Sequence, residues 1–312
     1  MMTEMKYVLE VYRTGSFTAA AKSLYISQPS LSLMVKKAEK QLGEPIFDRS
    51  TIPVTLTEAG VLYITAARQI QEAKDNMMEG ISRLSHCLSG HISIGSTTLF
   101  ASFVLPELIT RFSEAYPGIS VTVRESNSPN LINEVQDGLL DFSIDNALYD
   151  APNIDCRPFR KEHLLLAVPA SAPINRRLNK YCFSATELLC GEAERQDCVS
   201  LSEFADEPFL LLRNGNDTRS RADKMFGQCR IKPNILLELD QQLTTYHLAA
   251  YGMGVAFVSD TLVKCSIPDN RLLFYRVASE YSERYITVYY KRNRILPSGV
   301  KAFLREMGLQ IE

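Results

Sequence analysis

Eight apolar residues, Leu62, Ala66, Ile70, Ala73, Met77, Ile81, Leu84 and Leu88, recur at intervals of 4, 4, 3, 4, 4, 3 and 4 residues. That spacing lines up one face of an α-helix as a seam for a second helix. A helix of some 30 residues extends about 45 Å, too long to be covered by the ~60 residues that precede it. The seam therefore asks for a partner, and a second copy of the chain supplies one. Leu62, Ala66, Ile70, Ala73, Met77 and Leu84 are the expected dimer interface. The alternative is a long helix packed on its own chain. The same helix divides the 312 residues into three: 1–58, with short amphipathic helical segments; a linker helix at 59–89; and 90–312, where β-like and helical patterns alternate as in an α/β domain. Ser89-Gly90 breaks the helix and suits a hinge.

Within 1–58 the first helical segment, Glu4 to Arg13, turns Tyr7, Val8, Val11 and Tyr12 to one face and stops at Thr14-Gly15. Ser16 is a good cap for a second, small-residue helix, Phe17 to Leu24, which another helix can cross closely. Ser27 caps a third, Gln28 to Gln41, with Pro29 in the first turn, where its missing N–H is no loss. Leu31, Val35, Ala38 and Leu42 form the buried stripe of that helix. Two helices joined by a short turn read as a helix-turn-helix. Gln28, Pro29, Ser32, Leu33 and Lys36 share the opposite face, which belongs against DNA. Gln28 can pair with adenine through two hydrogen bonds, Ser32 suits several bases, and Leu33 can press a thymine methyl. Lys36 and Lys37 are placed to hold phosphates.

Charge alone does not establish this. Seven basic residues before position 58 face six acids up to Glu58, and the whole chain has a formal net charge of −2. Apolar residues at 46% and charged residues at 22% are ordinary for a globular protein. Met1-Met2-Thr3-Glu4 has an acid where a secretory leader would be basic, and no 18-residue apolar run follows. The expected location is the cytoplasm, with no membrane partner. Seven cysteines without a CxxC fit reduced thiols. The four histidines lack zinc-ligand spacing, so no metal is expected.

The series Gly15-Ser-Phe-Thr18, Ala20-Ala21, Leu24, Ile26-Ser27-Gln28-Pro29-Ser30-Leu31-Ser32, Glu39, Leu42-Gly43, Pro45-Ile46-Phe47, Arg49 and Leu56-Thr57-Glu58-Ala59-Gly60 resembles the DNA-binding domain of LysR-type transcriptional regulators. The resemblance covers the segment without a gap. It implies a winged helix-turn-helix, with Phe47, Arg49 and Ile52 to Thr55 as the wing. It adds Thr18 and Arg49 to the expected DNA contacts. It also implies antiparallel pairing of linker helices in a homodimer or homotetramer bound to an interrupted inverted repeat, with RNA polymerase a further candidate partner. Two departures stand out. Leu33 occupies a position where a basic or amide residue is frequent, and Ser50-Thr51-Ile52-Pro53 lacks a frequent second basic residue of the wing.

From His91 the chain resembles the rest of the same family, an α/β fold shared with type 2 periplasmic binding proteins. Expected strands are Ile92–Gly95, Ile119–Glu125, Asp141–Asp145, a crossover at Leu164–Pro169, then Phe209–Leu212, Ile235–Leu239, Gly254–Val258 and Ile286–Tyr290. Expected helices include Phe103–Tyr116, Asn130–Gly138 and Ser298–Gly308. The first subdomain spans about 91–163 and 270–312, and the second about 164–269. Strand-to-helix turns in such a domain converge on the cleft between subdomains, where helix N-termini attract anions. Ser96, Thr97 and Thr98, Asn127 and Ser128, Asp217 and Thr218, and Thr244 and Thr245 occupy those turns. By the resemblance they bind an effector, a small polar or anionic metabolite serving as co-inducer, with no other cofactor. Taken singly, each is as well explained as a helix cap.

About 20 residues between Pro173 and Val199 read as an extra stretch containing Cys182, Cys190 and Cys198. A thiol-based redox-responsive regulator of the same family is thus an alternative, although Asn216-Asp217-Thr218 stands where redox-sensing members carry their reactive thiol. A solute-binding protein shares the C-terminal fold, but the helix-turn-helix opposes it. An enzyme is not expected, since GxSxG, HExxH and phosphate-cradling glycine motifs are all missing.

Overall fold

The computed structural model describes residues 2–51, 53–84, 90–149, 151–292 and 294–310, with side chains at 2, 3, 72, 75, 76 and 78–84 outside that description. The chain divides into two units, Met1–His86 and Cys87–Glu312.

In the first unit, α1 (Met2–Thr14), α2 (Phe17–Ser23) and α3 (Gln28–Leu42) are followed by β1 (Phe47–Asp48), β2 (Thr55–Leu56) and α4 (Glu58–Leu84). Ser16 and Ser27 cap α2 and α3 by accepting from the N–H groups of Ala19 and Ser30. The wing is a two-residue antiparallel ladder, Phe47 against Leu56 and Asp48 against Thr55. Val8, Val11, Ala20, Ala21, Leu31, Val35, Ala38, Ile46 and Phe47 form the core.

Tyr63, Ile64 and Ala67 of α4 belong to that same core, which corrects the expected domain limit at residue 58. The first turns of the linker helix are part of the DNA-binding unit, because the helix offers one face inward and the seam outward. A Cβ at Gly60 would lie 2.1 Å from the Ile46 carbonyl oxygen, so this close approach of α4 requires glycine. Along the seam Leu62 is 73% and Met77 58% exposed, Ala66 and Ala73 are exposed, and Ile70 rests partly on the core. The side chains of Ile81 and Leu84, and Ile52, Leu88 and Ser89 as a whole, lie outside the described residues.

The second unit contains β3 (Gly90–Ser96), α5 (Thr98–Phe103), α6 (Leu105–Ala115), β4 (Ile119–Glu125), α7 (Ser128–Gln136), β5 (Phe142–Asp145) and β6 (Ile154–Pro169). Then follow α8 (Ile174–Arg177), β7 (Cys182–Phe183), α9 (Ala185–Leu189), β8 (Pro208–Leu212), α10 (Asp217–Cys229), β9 (Asn234–Leu239) and α11 (Gln242–Ala250). Last come β10 (Val255–Ser259), α12 (Asp260–Cys265), β11 (Leu272–Arg276), β12 (Glu283–Lys291) and α13 (Ser298–Glu306). The strands run in the order β4-β3-β5-β12-β6-β10-β8-β9, with β11 on β6 and β7. β6 belongs to both halves: Ile154 to His163 pairs with β12, and Leu164 to Pro169 with β10 and β11.

Three expectations change here. The chain does not rejoin the first subdomain near Asn270, because Leu272 to Arg276 pairs with Pro169 to Leu165 in the second sheet; the return is at β12. The helix expected at Phe103–Tyr116 is α6, preceded by the separate short helix α5, and α7 begins at Ser128 rather than Asn130. The stretch between Pro173 and Val199 is not a surface addition. Ile174 and Leu178 enter one core cluster of the second subdomain, and Phe183, Ala185, Leu188 and Ala193 enter the other.

Candidate DNA-reading face and ligand cleft

Gly43 ends α3 at φ 85°, and the buried stripe Leu31, Val35 and Ala38 anchors the helix from below. Its outer surface is left to solvent. Thr18 at the start of α2 and Gln28, Pro29 and Lys36 on α3 are exposed, Leu33 is 64% exposed, and Ser32 is half-buried beside them. By helical spacing Gln28, Pro29, Ser32, Leu33 and Lys36 share one face of α3.

Two basic residues of the expected set already have internal partners. Lys37 Nζ lies 2.6 Å from the buried carboxylate of Glu4 on α1, and this hydrogen bond pulls the Glu4 carboxyl down to about 2. Arg49 lies 2.9 Å from Glu39 Oε2 and stacks over the Phe17 ring at 4.8 Å, while Glu39 Oε1 accepts the Ile46 N–H. Both cations tie elements of the unit together. Lys37, expected to hold a phosphate, and Arg49, an expected DNA contact, are thus each engaged by a carboxylate while remaining partly exposed.

The cleft of the second unit is open, about 600 Å³, and lies between α7 and α10. Ser128, Leu148, Tyr149, Asn216, Asp217, Ser220, Arg221, Lys224 and Tyr281 line it. This size suits a small metabolite. The N-terminal residues of both helices, Ser128 and Asp217, reach it, and Lys224 sits over the Tyr281 ring at 5.3 Å. Below Ser128, Tyr149 Oη donates to the buried Asp145 carboxylate at 2.9 Å. Burial pushes the Asp145 carboxyl up, against hydrogen bonds from Ser128, Tyr149 and two backbone N–H groups.

Most of the hydroxyls expected in this cleft are otherwise occupied. Ser96 is fully buried and donates to the Thr97 carbonyl. Asn127 caps α7 by accepting from the Asn130 N–H. Thr245 is buried and donates to the Gln242 carbonyl at 2.7 Å. Thr218 accepts from Gln242 Nε2 at 3.3 Å and Arg284 Nη1 at 3.0 Å. Thr97, Thr98 and Thr244 do not line the cleft. Of the nine expected residues, Ser128 and Asp217 do.

Sequence reasoning missed Arg284. Its side chain is 1% exposed and bridges the two subdomains. Nε donates to Glu162 Oε2 at 2.6 Å, across the β6–β12 ladder, and Nη1 donates to Asp217 Oδ2 at 2.9 Å. Asn146 Nδ2 also donates to Glu162, at 3.0 Å. Arg221 completes the bridge, donating to Asp217 at 2.8 Å and to the carbonyls of Tyr281 and Glu283. No local pattern marks Arg284, because its acidic partners lie 122 and 67 residues away.

Cys182 gives the thiol alternative no support, since burial pushes its thiol up rather than toward the reactive thiolate. Among the described residues no group of His, Cys, Asp and Glu could hold a metal ion. No described helix is long and apolar enough to cross a membrane.

Residues 2–61 match the bacterial regulatory helix-turn-helix protein family, lysR type, and residues 86–309 match the LysR substrate binding domain. The chain is 29% identical over 301 residues to the uncharacterized HTH-type transcriptional regulator YcgK of Bacillus subtilis (strain 168), covering 96% of this chain and 91% of that one. Among solved structures, a full-length OxyR variant from Pseudomonas aeruginosa superposes with a TM-score of 0.70 at 20% identity, covering 99% of this chain and 95% of that one. Full-length CbnR complexed with its target DNA gives 0.59 at 19% identity, covering 99% of each chain. These are transcriptional regulators and not enzymes, which removes the solute-binding and catalytic alternatives. With both of its units matched in order, the chain belongs to the LysR family of transcriptional regulators.

Proposed function

We propose that this regulator reads an interrupted inverted repeat in cytoplasmic DNA through α3, as a homodimer or homotetramer, and changes its occupancy when a small polar or anionic metabolite enters the cleft between α7 and α10. The observation that carries this reading is the polar face at the start of α3, where Gln28, Pro29 and Lys36 stand exposed beside Leu33. Gln28 supplies base readout, Leu33 apolar contact and Lys36 phosphate contact. Duplexes selected from a random library by the purified protein test it. Gln28→Ala is expected to weaken the selected duplex by about 1–3 kcal/mol and relax preference at one position per half-site. Unchanged preference would reverse the assigned orientation of α3.

The effector reading rests on the lining of the cleft. Asp217 is held by two arginines and the Ser128 hydroxyl by Asp145, which leaves Lys224, the Ser220 hydroxyl and two helix N-termini to meet a ligand. That surface suits an anion. A thermal-shift screen of metabolites on the full chain is expected to find a carboxylate or similar small anion. Its stabilising effect should drop in Ser220→Ala and Lys224→Met. An effector that stabilises both variants as well as the wild type places the site elsewhere. RNA polymerase is the further partner that such a regulator would engage at a promoter.

A further inference from the structure

We propose that Tyr25 is a DNA-backbone contact whose phenol hydroxyl donates to a phosphate oxygen beside the base pairs read by α3. The inference starts from a mismatch between what the fold asks for at this position and what the sequence supplies. At the end of α2 the Tyr25 N–H donates to the Lys22 carbonyl at 3.2 Å and the Ile26 N–H to the Ala21 carbonyl at 3.1 Å. Tyr25 itself takes φ 54°. Helices closed by this pair of bonds place glycine, or less often asparagine, in the left-handed position, because a Cβ there crowds the following carbonyl. The same unit does so after α1 and α3, with Gly15 at φ 62° and Gly43 at φ 85°. Only the turn of the helix-turn-helix breaks the pattern among these three helix ends. Packing gives Tyr25 nothing in return, since its side chain is 96% exposed. Folding alone would be better served by glycine. A strained residue held open to solvent indicates a use outside the fold.

The direction of the side chain follows from its neighbours. Leu24 and Ile26 pack against the core on either side, and Ser27 caps α3. The phenol therefore projects from the link between the two helices. Lys22, Ser23, Ser27 and Gln28 are exposed around it, continuous with the reading face. When the start of a recognition helix enters the major groove, the segment leading into it passes the sugar–phosphate strand. Tyrosine is among the side chains that hydrogen-bond phosphate oxygens. The inference rests on the reading of α3 given above.

The full-length protein, Tyr25→Asn and Tyr25→Phe are compared on a duplex selected by the wild type and on a scrambled duplex of the same composition. Tyr25→Asn is expected to melt higher, because the backbone strain is relieved, yet to bind both duplexes about three- to tenfold more weakly and by the same factor. Tyr25→Phe keeps the wild-type melting temperature and shows the same loss of binding. The salt dependence of binding stays as in the wild type for both, since the lost donor is uncharged. Undiminished binding by Tyr25→Phe, which lacks only the hydroxyl, overturns the contact. A loss confined to the selected duplex also overturns it, by making Tyr25 a base reader. Gln28→Ala in the same assay separates the two assignments. Lost preference there with full binding by Tyr25→Phe removes the contact alone, whereas unchanged preference removes the α3 reading beneath it.

Discussion

The outer face of α3 and the floor of the cleft are both built from short polar side chains near helix starts, yet they use them in opposite ways. On α3 the groups are turned to solvent, and Gln28 and Pro29 stand clear of the unit that carries them. At the seam between the subdomains, Thr218, Asp217 and Glu162 are consumed by one buried guanidinium, Arg284. A binding surface can leave its polar groups to water until a partner arrives. A seam between two subdomains has to satisfy them internally, because an unpaired buried charge is costly.

Four substitutions probe this contrast. The largest effect belongs to Arg284→Ala, which strands Glu162 and Asp217 without their shared cation. Thermal unfolding should show a loss of about 3–5 kcal/mol. A wild-type melting curve would mean that the cleft is not held together by this bridge. Next comes Leu62→Glu, on the exposed seam of α4. It leaves the core of the first unit intact and places a carboxylate where a second helix is expected, costing the assembly several kcal/mol. Light scattering should show dissociation toward monomer, and an unaltered oligomer would move the interface off α4. The smallest pair compares Lys36→Ala with Lys37→Ala. Lys36 should lower the salt slope of DNA binding by about 1. Lys37→Ala should leave that slope unchanged and instead lower stability near neutral pH, because its partner Glu4 has a depressed carboxyl. That contribution is present above the ordinary carboxylate range, near 4.5, and fades as the pH falls toward about 2. Equal slopes for the two variants would return Lys37 to the DNA surface.

How far each region could be read from sequence follows from the range of its contacts. Leu31, Val35 and Ala38 announce α3 through helical spacing, Ser27 and Gly43 mark its limits and Ser16 the start of α2 by capping chemistry, all within a few residues. The strand positions of the second unit are legible in outline because alternating β and α patterns resemble a known family. Pairing is not: whether Leu272 to Arg276 joins the first or second sheet depends on its match to β6, more than 100 residues earlier. The cleft fared worst for the same reason. Thr218 reads as a hydroxyl at a helix start, and nothing near it reveals that Gln242 and Arg284 claim its oxygen. Lys37 looks like a phosphate contact until α1 is folded against α3 and brings Glu4 to it.

The 16-residue strand β6 has a mechanical consequence. Because its first ten residues are laddered to β12 and its last six to β10 and β11, the two halves of the regulatory unit are joined by a hydrogen-bonded ribbon rather than a slack tether. Opening or closing the cleft must flex that ribbon, so displacement meets a restoring force that grows with amplitude. A ligand seated between α7 and α10, as proposed above, would work against that restoring force, and its signal would be a small change of angle held under load for as long as it stayed bound.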